Sequence, residues 1–233
     1  MNRKFNYETY LYISTKKLII LVNDDLNENI YKDELIFEEA TNEIVFEKLG
    51  YILNKNIFQI EKKLKSFIEK VFVIIDLDIF FSLEISVKKN NYKDIIQLKN
   101  INHLLYEARD CCKKTIEQKK IIHMIIKNYQ IDNKDYSFLP NNINCNNFSL
   151  DVNFICISNK FIEKLEKILK NFQITISQIV DARYINKFVS DEEENFFLMT
   201  KKIIKGHNPN EVKLVEKTTK NKGFFEKFFN FFN

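Results

Sequence analysis

Apolar residues along this chain keep two rhythms, and the switches between them predict its elements. Thr9 to Ser14 and Leu18 to Val22 are β-branched and aromatic runs around a polar turn at Ser14 to Lys17, a pattern that predicts a hairpin, with a second turn at Asn23-Asp24-Asp25. Ile30 to Glu39 and Glu43 to Leu49 read as a third and a fourth strand, with Gly50 at a turn or bulge. From Asn56 to Lys70 the period lengthens: Ile57, Ile60, Leu64, Phe67 and Ile68 recur every three or four residues among lysines and glutamates, which predicts an amphipathic helix. Val71 to Ile75 is a continuous apolar run that suits a strand buried on both faces, and Ile79 to Val87 continues as another strand.

The second half repeats this alternation. Asn102 to Lys119 is helical, with Leu104, Leu105, Ala108, Cys112 and Ile116 on one side, and Ile121 to Ile126 makes a strand that Tyr129 to Ile131 extends. A polar loop over 141–147 leads to a strand over Phe148 to Ser158. A helix follows over Asn159 to Phe172, capped by Ser158 or Asn159. Ile174 to Val180 is a strand, and Ala182 to Leu198 one last helix around the acidic group 191–194. Crossover helices between buried strands imply an α/β or α+β body.

Past Leu198 the rhythm lapses. Residues 201–222 are lysine-rich, contain Gly206 and Pro209, and read as a linker. The chain then closes on Gly223 to Asn233, where Phe224, Phe225, Phe228, Phe229, Phe231 and Phe232 would occupy an arc of roughly 160° on a helix. Lys227 lies among the polar residues opposite. The segment is too short for a span, which needs about 20 apolar residues, so it suits either a membrane interface or a partner's groove.

Charge sharpens that choice. From Lys201 onward eight lysines face three glutamates, so of a formal charge of +4 the whole excess lies in the tail and the body is close to neutral. A neutral body disfavours nucleic acid as a partner, whereas a basic tail beside an aromatic face suits anionic lipid. At 45% hydrophobic residues, with 22 Phe and 10 Tyr, the 233-residue chain has ample material for a core, and no export signal or spanning segment is visible.

Chemistry-bearing residues are sparse. Cys111, Cys112, Cys145 and Cys156 lack metal spacing and read as reduced thiols in a cytosolic setting. Asp76 and Asp78 flank Leu77 without a third ligand, and His123 inside an apolar strand suits a structural role. No metal site, cofactor or catalytic set is expected.

The order of parts resembles one family. The hairpin, the segment from Gly50 to Lys70 and the buried strand Val71 to Ile75 are followed by a helix over Ile101 to Gln118, the strand Ile121-Ile122-His123-Met124-Ile125, Tyr129 to Asp132 and Leu150 to Ile157. A helix ending at Asn171 and the strand Ile174 to Val180 come last. Together with the terminal segment, this resembles the bacterial actin-like division family FtsA. The resemblance implies a partial actin-like (ribonuclease H-like) first domain over 1–83 and 171–200, a 1C-type α+β subdomain inserted over 84–170, a basic linker over 201–222 and a membrane-targeting helix over 223–233. Two departures stand out. Ser14 and Thr15 occupy a degenerate phosphate-loop position without its acid or glycine, and near residue 195, where a glycine-rich second domain would start, the chain reads Asn195-Phe196-Phe197-Leu198.

The resemblance therefore implies a non-catalytic scaffold of the cell division machinery, peripheral on the cytoplasmic face of the inner membrane. Its partners would be anionic lipids and other division proteins, with self-association through the inserted subdomain. The alternative is a pilus-assembly or secretion adaptor of the same superfamily, which usually binds a short peptide of an inner-membrane partner.

Overall fold

The structure is a computed structural model that describes residues 7–37, 44–96, 98–140, 143–189 and 193–213. Two sheets organise them. The first carries β1 (Tyr7–Ser14), β2 (Lys17–Asp24), β3 (Asn29–Ile36), β4 (Lys70–Asp76) and β9 (Thr175–Asp181) in the order β3-β2-β1-β4-β9. β1 to β3 form an antiparallel meander, while β4 lies parallel to β1 and β9 parallel to β4. The second carries β5 (Phe81–Asn90), β6 (Lys119–Ile131), β7 (Lys134–Tyr136) and β8 (Asn147–Ser158) in the order β5-β8-β6-β7, all antiparallel. The chain enters this sheet after β4 and leaves it before β9. This is a mixed α/β fold of the partial actin-like kind that the resemblance implies, with an α+β insertion.

Strand alternation sends side chains to two cores. Leu11, Ile13, Leu18, Ile20, Val73 and Ile75 face helices α1 (Ile44–Leu64) and α3 (Asn159–Lys170). Tyr10, Ile19, Leu21 and Ile74 face α4 (Ala182–Asn186) and α5 (Glu193–Ile204) through Ala182 and Phe197. The inserted sheet is built alike. One face packs on α2 (Leu98–Thr115) through Leu104, Ala108, Cys112 and Ile116. The other presents Ile125 and Ile155 to Val180, Tyr184, Ile185 and Ile203, which seals the two sheets together.

Several elements depart from the sequence reading. Ile44 to Leu49, expected as most of a strand from Glu43, is helical: α1 starts at Ile44 and runs straight through Gly50, because Leu49, Ile52, Leu53 and Ile60 supply a buried stripe on both sides of the glycine. A Cβ at Gly50 would meet nothing within 4 Å, so this glycine has no turn to make. The helix stops at Leu64 rather than Lys70, and Phe67, expected inward, is 78% exposed. α3 falls inside the segment assigned to the insertion, yet Ile162, Leu165 and Leu169 pack into the first sheet's core. The last helix is two, α4 and α5.

The expected linker also starts late. Residues 201–204 still belong to α5, and Lys201 is 8% exposed, its stem covering apolar surface while Nζ lies 3.1 Å from Glu8 Oε2 and donates to Asn27 Oδ1. Gly206, at φ +92°, ends this helix: the Gly206 and His207 amides donate to the carbonyls of Ile203 and Lys202, the Schellman arrangement. The aromatic segment over 223–233, with its membrane-binding assignments, lies outside the described residues. Among the described residues no helix is long and apolar enough to cross a membrane.

Candidate protein-docking groove

The degenerate phosphate-loop position is the turn between β1 and β2. Ser14 is buried, and its Oγ accepts from the amides of Lys16 at 3.3 Å and Lys17 at 3.0 Å while donating to the Lys17 carbonyl at 3.0 Å. The Phe37 amide donates to the Lys16 carbonyl at 2.8 Å. A serine side chain thus closes the hairpin where a glycine loop would leave amides free. The neighbouring carboxylates are also engaged. Asp76, beside Ser14 in the register of β4, accepts from Tyr12 Oη at 2.5 Å. Arg183 donates to Asp78 at 3.0 Å, and Asp181 caps α4 by accepting from the Arg183 amide at 2.9 Å. No group of three metal-ligating side chains stands together among the described residues.

His123 sits at the joint between the two sheets, its side chain fully buried. Its Nε2 accepts from the Asp181 amide at 3.2 Å, which places the ring proton on Nδ1, where it donates to Glu211 Oε1 at 2.7 Å. Tyr184 Oη donates to Glu211 Oε2 at 2.9 Å and accepts from Asn208 at 2.8 Å. Burial above all, and then the Glu211 carboxylate, hold the Tyr184 hydroxyl well above its ordinary range, against the Asn208 bond. One network thereby fastens β6, the end of β9, α4 and residues 208–211 to one another. Cys112 and His123 are not brought together: Cys112 packs with the free thiol of Cys156 in the core between α2 and the inserted sheet. Burial and the neighbouring Cys112 push the Cys156 thiol up to about 12. The four cysteines are free, and three of them are buried.

Beside this joint runs a groove of about 470 Å³. Lys120, Ile121 and Ile122 of β6 form one wall, and Ile176, Gln178 and Ile179 of β9 the other. β9 is the last strand of its sheet. β6 is covered on its second side only in part: β7 reaches Tyr129 to Ile131, and residues 210–212 pair near Ile125. Between Lys119 and His123 no other strand lies against that side among the described residues. Two open strand edges therefore face one cleft, with Glu166 and Lys213 at its margin. Sequence reading missed the cleft because neither wall is complete until β6 and β9, far apart in the chain, are set side by side.

Neither a protein-family model nor a curated protein sequence matches the chain. Among solved structures it is similar to the cytoplasmic domain of EpsL, an inner-membrane component of the type II secretion system of Vibrio cholerae, at 11% identity and a TM-score of 0.38 over 81% of this chain and 59% of that one. It is similar to the PilM–PilN type IV pilus biogenesis complex at 9% identity and a TM-score of 0.45, over 78% of this chain and 49% of that one. A Bacteroides thetaiotaomicron protein with an actin-like ATPase fold and unknown function gives 14% identity and a TM-score of 0.32, over 80% of this chain and 56% of that one. The chain thus spans between 49% and 59% of the length of these structures. Likenesses this shallow assign no function, and the description of the fold rests on strand order and direction.

Proposed function

We propose that the protein is a non-catalytic adaptor that takes an extended segment of a partner protein into the groove between β6 and β9, within a membrane-associated secretion or pilus assembly. The observation that carries this reading is the pair of open strand edges lining a single cleft. An added strand gains backbone hydrogen bonds that any sequence can make, while alternate side chains read the flanking Ile121, Ile122, Ile176 and Ile179. An adaptor expected to hold a short peptide of an inner-membrane partner needs such a surface. The self-bonded turn at Ser14 supports the non-catalytic part, since its amides have no hydrogen left for a phosphate. Structures named for secretion and pilus systems share part of the fold, too faintly to count in support. No feature of the described residues favours the division scaffold over the adaptor. The aromatic face of residues 223–233 would supply the membrane contact.

Co-sedimentation tests the whole reading. Peptides of about eight residues, selected from a random library for binding the full chain, are expected to sediment with anionic liposomes when the chain is present. Ser177→Trp fills the groove from an exposed position on β9, so it should release the peptide and leave the chain on the liposomes. Deleting Phe224 to Asn233 should release both. Peptide retained by the Ser177→Trp chain would refute the groove as the docking site.

A further inference from the structure

The β6 wall of the groove already carries the start of an added strand. Ile125 and Glu211 form an antiparallel bridge, the Ile126 amide donates to the Asn210 carbonyl at 2.9 Å, and the Val212 amide donates to the Met124 carbonyl at 2.8 Å. Asn210 is held in place from two sides, by its amide donating to Asn208 Oδ1 and its side chain donating to the Ser137 carbonyl. Glu211 is locked by His123 and Tyr184. The direction of this short pairing is therefore fixed, and it runs down β6 toward Lys119. The last described residues, Val212 and Lys213, line the groove.

The structure describes nothing past Lys213; if the same register were continued residue for residue, it would set Leu214 opposite Ile122, Val215 opposite Ile121 and Glu216 opposite Lys120. Ile121 and Ile122 are half-buried on opposite faces of β6, and Lys120 is exposed, so two apolar residues would meet two apolar ones and an acid would meet a base. Lys217 would then face Lys119, a like-charge pair that ends the match. The register shift between Ile121 and His123 lies in the pairing with β8, on the other edge of β6, and the charge swap at Glu216 and Lys120 tests the residue-for-residue match.

We propose that the groove is an acceptor for the chain's own segment Leu214-Val215-Glu216, which a partner strand must displace. This rests on the strand-accepting reading of the groove. A tethered segment competes at a millimolar effective concentration, on the order of that found for short linkers, so a partner would win by affinity or when the rest of the tail is drawn elsewhere. The terminal aromatic face, some ten residues further on, is what a membrane would draw.

The experiment compares the full native chain with full-length Val215→Pro, whose proline removes an amide from the segment and disfavours pairing. Amide exchange at Leu214 and Glu216 should be about tenfold slower in the native chain than in the variant. A labelled peptide with the sequence of residues 211–217 should bind the variant at least about tenfold more tightly than the native chain. Glu216→Lys should act like Val215→Pro, and Lys120→Glu should restore native exchange in the Glu216→Lys background. Equal exchange with tight peptide binding to both chains would overturn the inference and leave the groove reading standing. Fast exchange with binding to neither would overturn both.

Discussion

The turn at Ser14 and the groove between β6 and β9 both bring backbone hydrogen-bonding groups to the surface of this fold, and those groups have opposite fates. At the turn, one buried hydroxyl accepts from two amides and donates to a carbonyl, the Phe37 amide just past β3 donates to a further carbonyl, and the carboxylates nearby are held by Tyr12, Arg183 and the Arg183 amide. At the groove, two sheets approach each other edge to edge and neither satisfies the other's edge between Lys119 and His123. A closed turn satisfies its own groups within the fold, whereas an open edge bonds to water until a binding strand replaces it, at a net gain of about 0.5 to 1.5 kcal/mol per hydrogen bond. The proposed strand-docking function therefore places recognition at the groove rather than at the position the family resemblance singles out.

His123 is what holds the groove's walls at their spacing, and removing it is the strongest way to break the contrast. His123→Ala leaves the Asp181 amide without its acceptor, deprives Glu211 of a donor and opens a void beside Tyr184. A loss of about 3 to 4 kcal/mol is expected in urea unfolding, with groove binding lost as well. Stability within about 0.5 kcal/mol of native would mean that the network does not support the joint.

Ser14→Ala acts on the other side of the comparison and should do less. The turn loses three hydrogen bonds but keeps its register with β3, so a destabilisation of about 1 kcal/mol is expected, with peptide capture by the groove unchanged. Reduced capture would show that the two regions are coupled.

The smallest effect sits between them, where Glu8 of β1 meets Lys201 and Lys205 of α5. Burial alone would raise its pKa, but the Tyr10 hydroxyl and Lys201 outweigh burial and set it below the usual 4.5. A depressed folded-state value stabilises the fold above the unfolded carboxylate's pKa and is lost as pH falls through the folded one. The contribution is under about 1 kcal/mol after solvent screening, so the melting temperature should fall below pH 4.5 by slightly less in Glu8→Gln than in the native chain. Identical pH profiles would mean the ion pair contributes nothing.

Much of the fold is legible in the sequence because it is written at short range. The hairpin around Ser14, the continuous run at Val71 to Ile75, the paired periods of β8 and α3, and the helix at Leu104 to Ile116 each carry their own period in adjacent residues. Local reading fails at Ile44 to Leu49, where β-branched and aromatic residues suggest a strand and packing against the first sheet makes the start of α1. It fails again at Lys201, which reads as linker because a lysine is polar in any short window.

The sequence by itself determined the α/β class and the absence of glycine from the turn that a phosphate would need, while the interruption of one sheet by another was what the family resemblance implied. Tertiary structure alone decided the groove and the His123 network beside it. His123 meets Glu211 across 88 positions and Asp181 across 58, and β6 meets β9 after the chain has left one sheet and entered another. Periodicity reports which face of an element is apolar, because that depends on neighbours three or four residues away. Which edges remain open depends on how many strands each sheet recruits, and no local pattern carries that count.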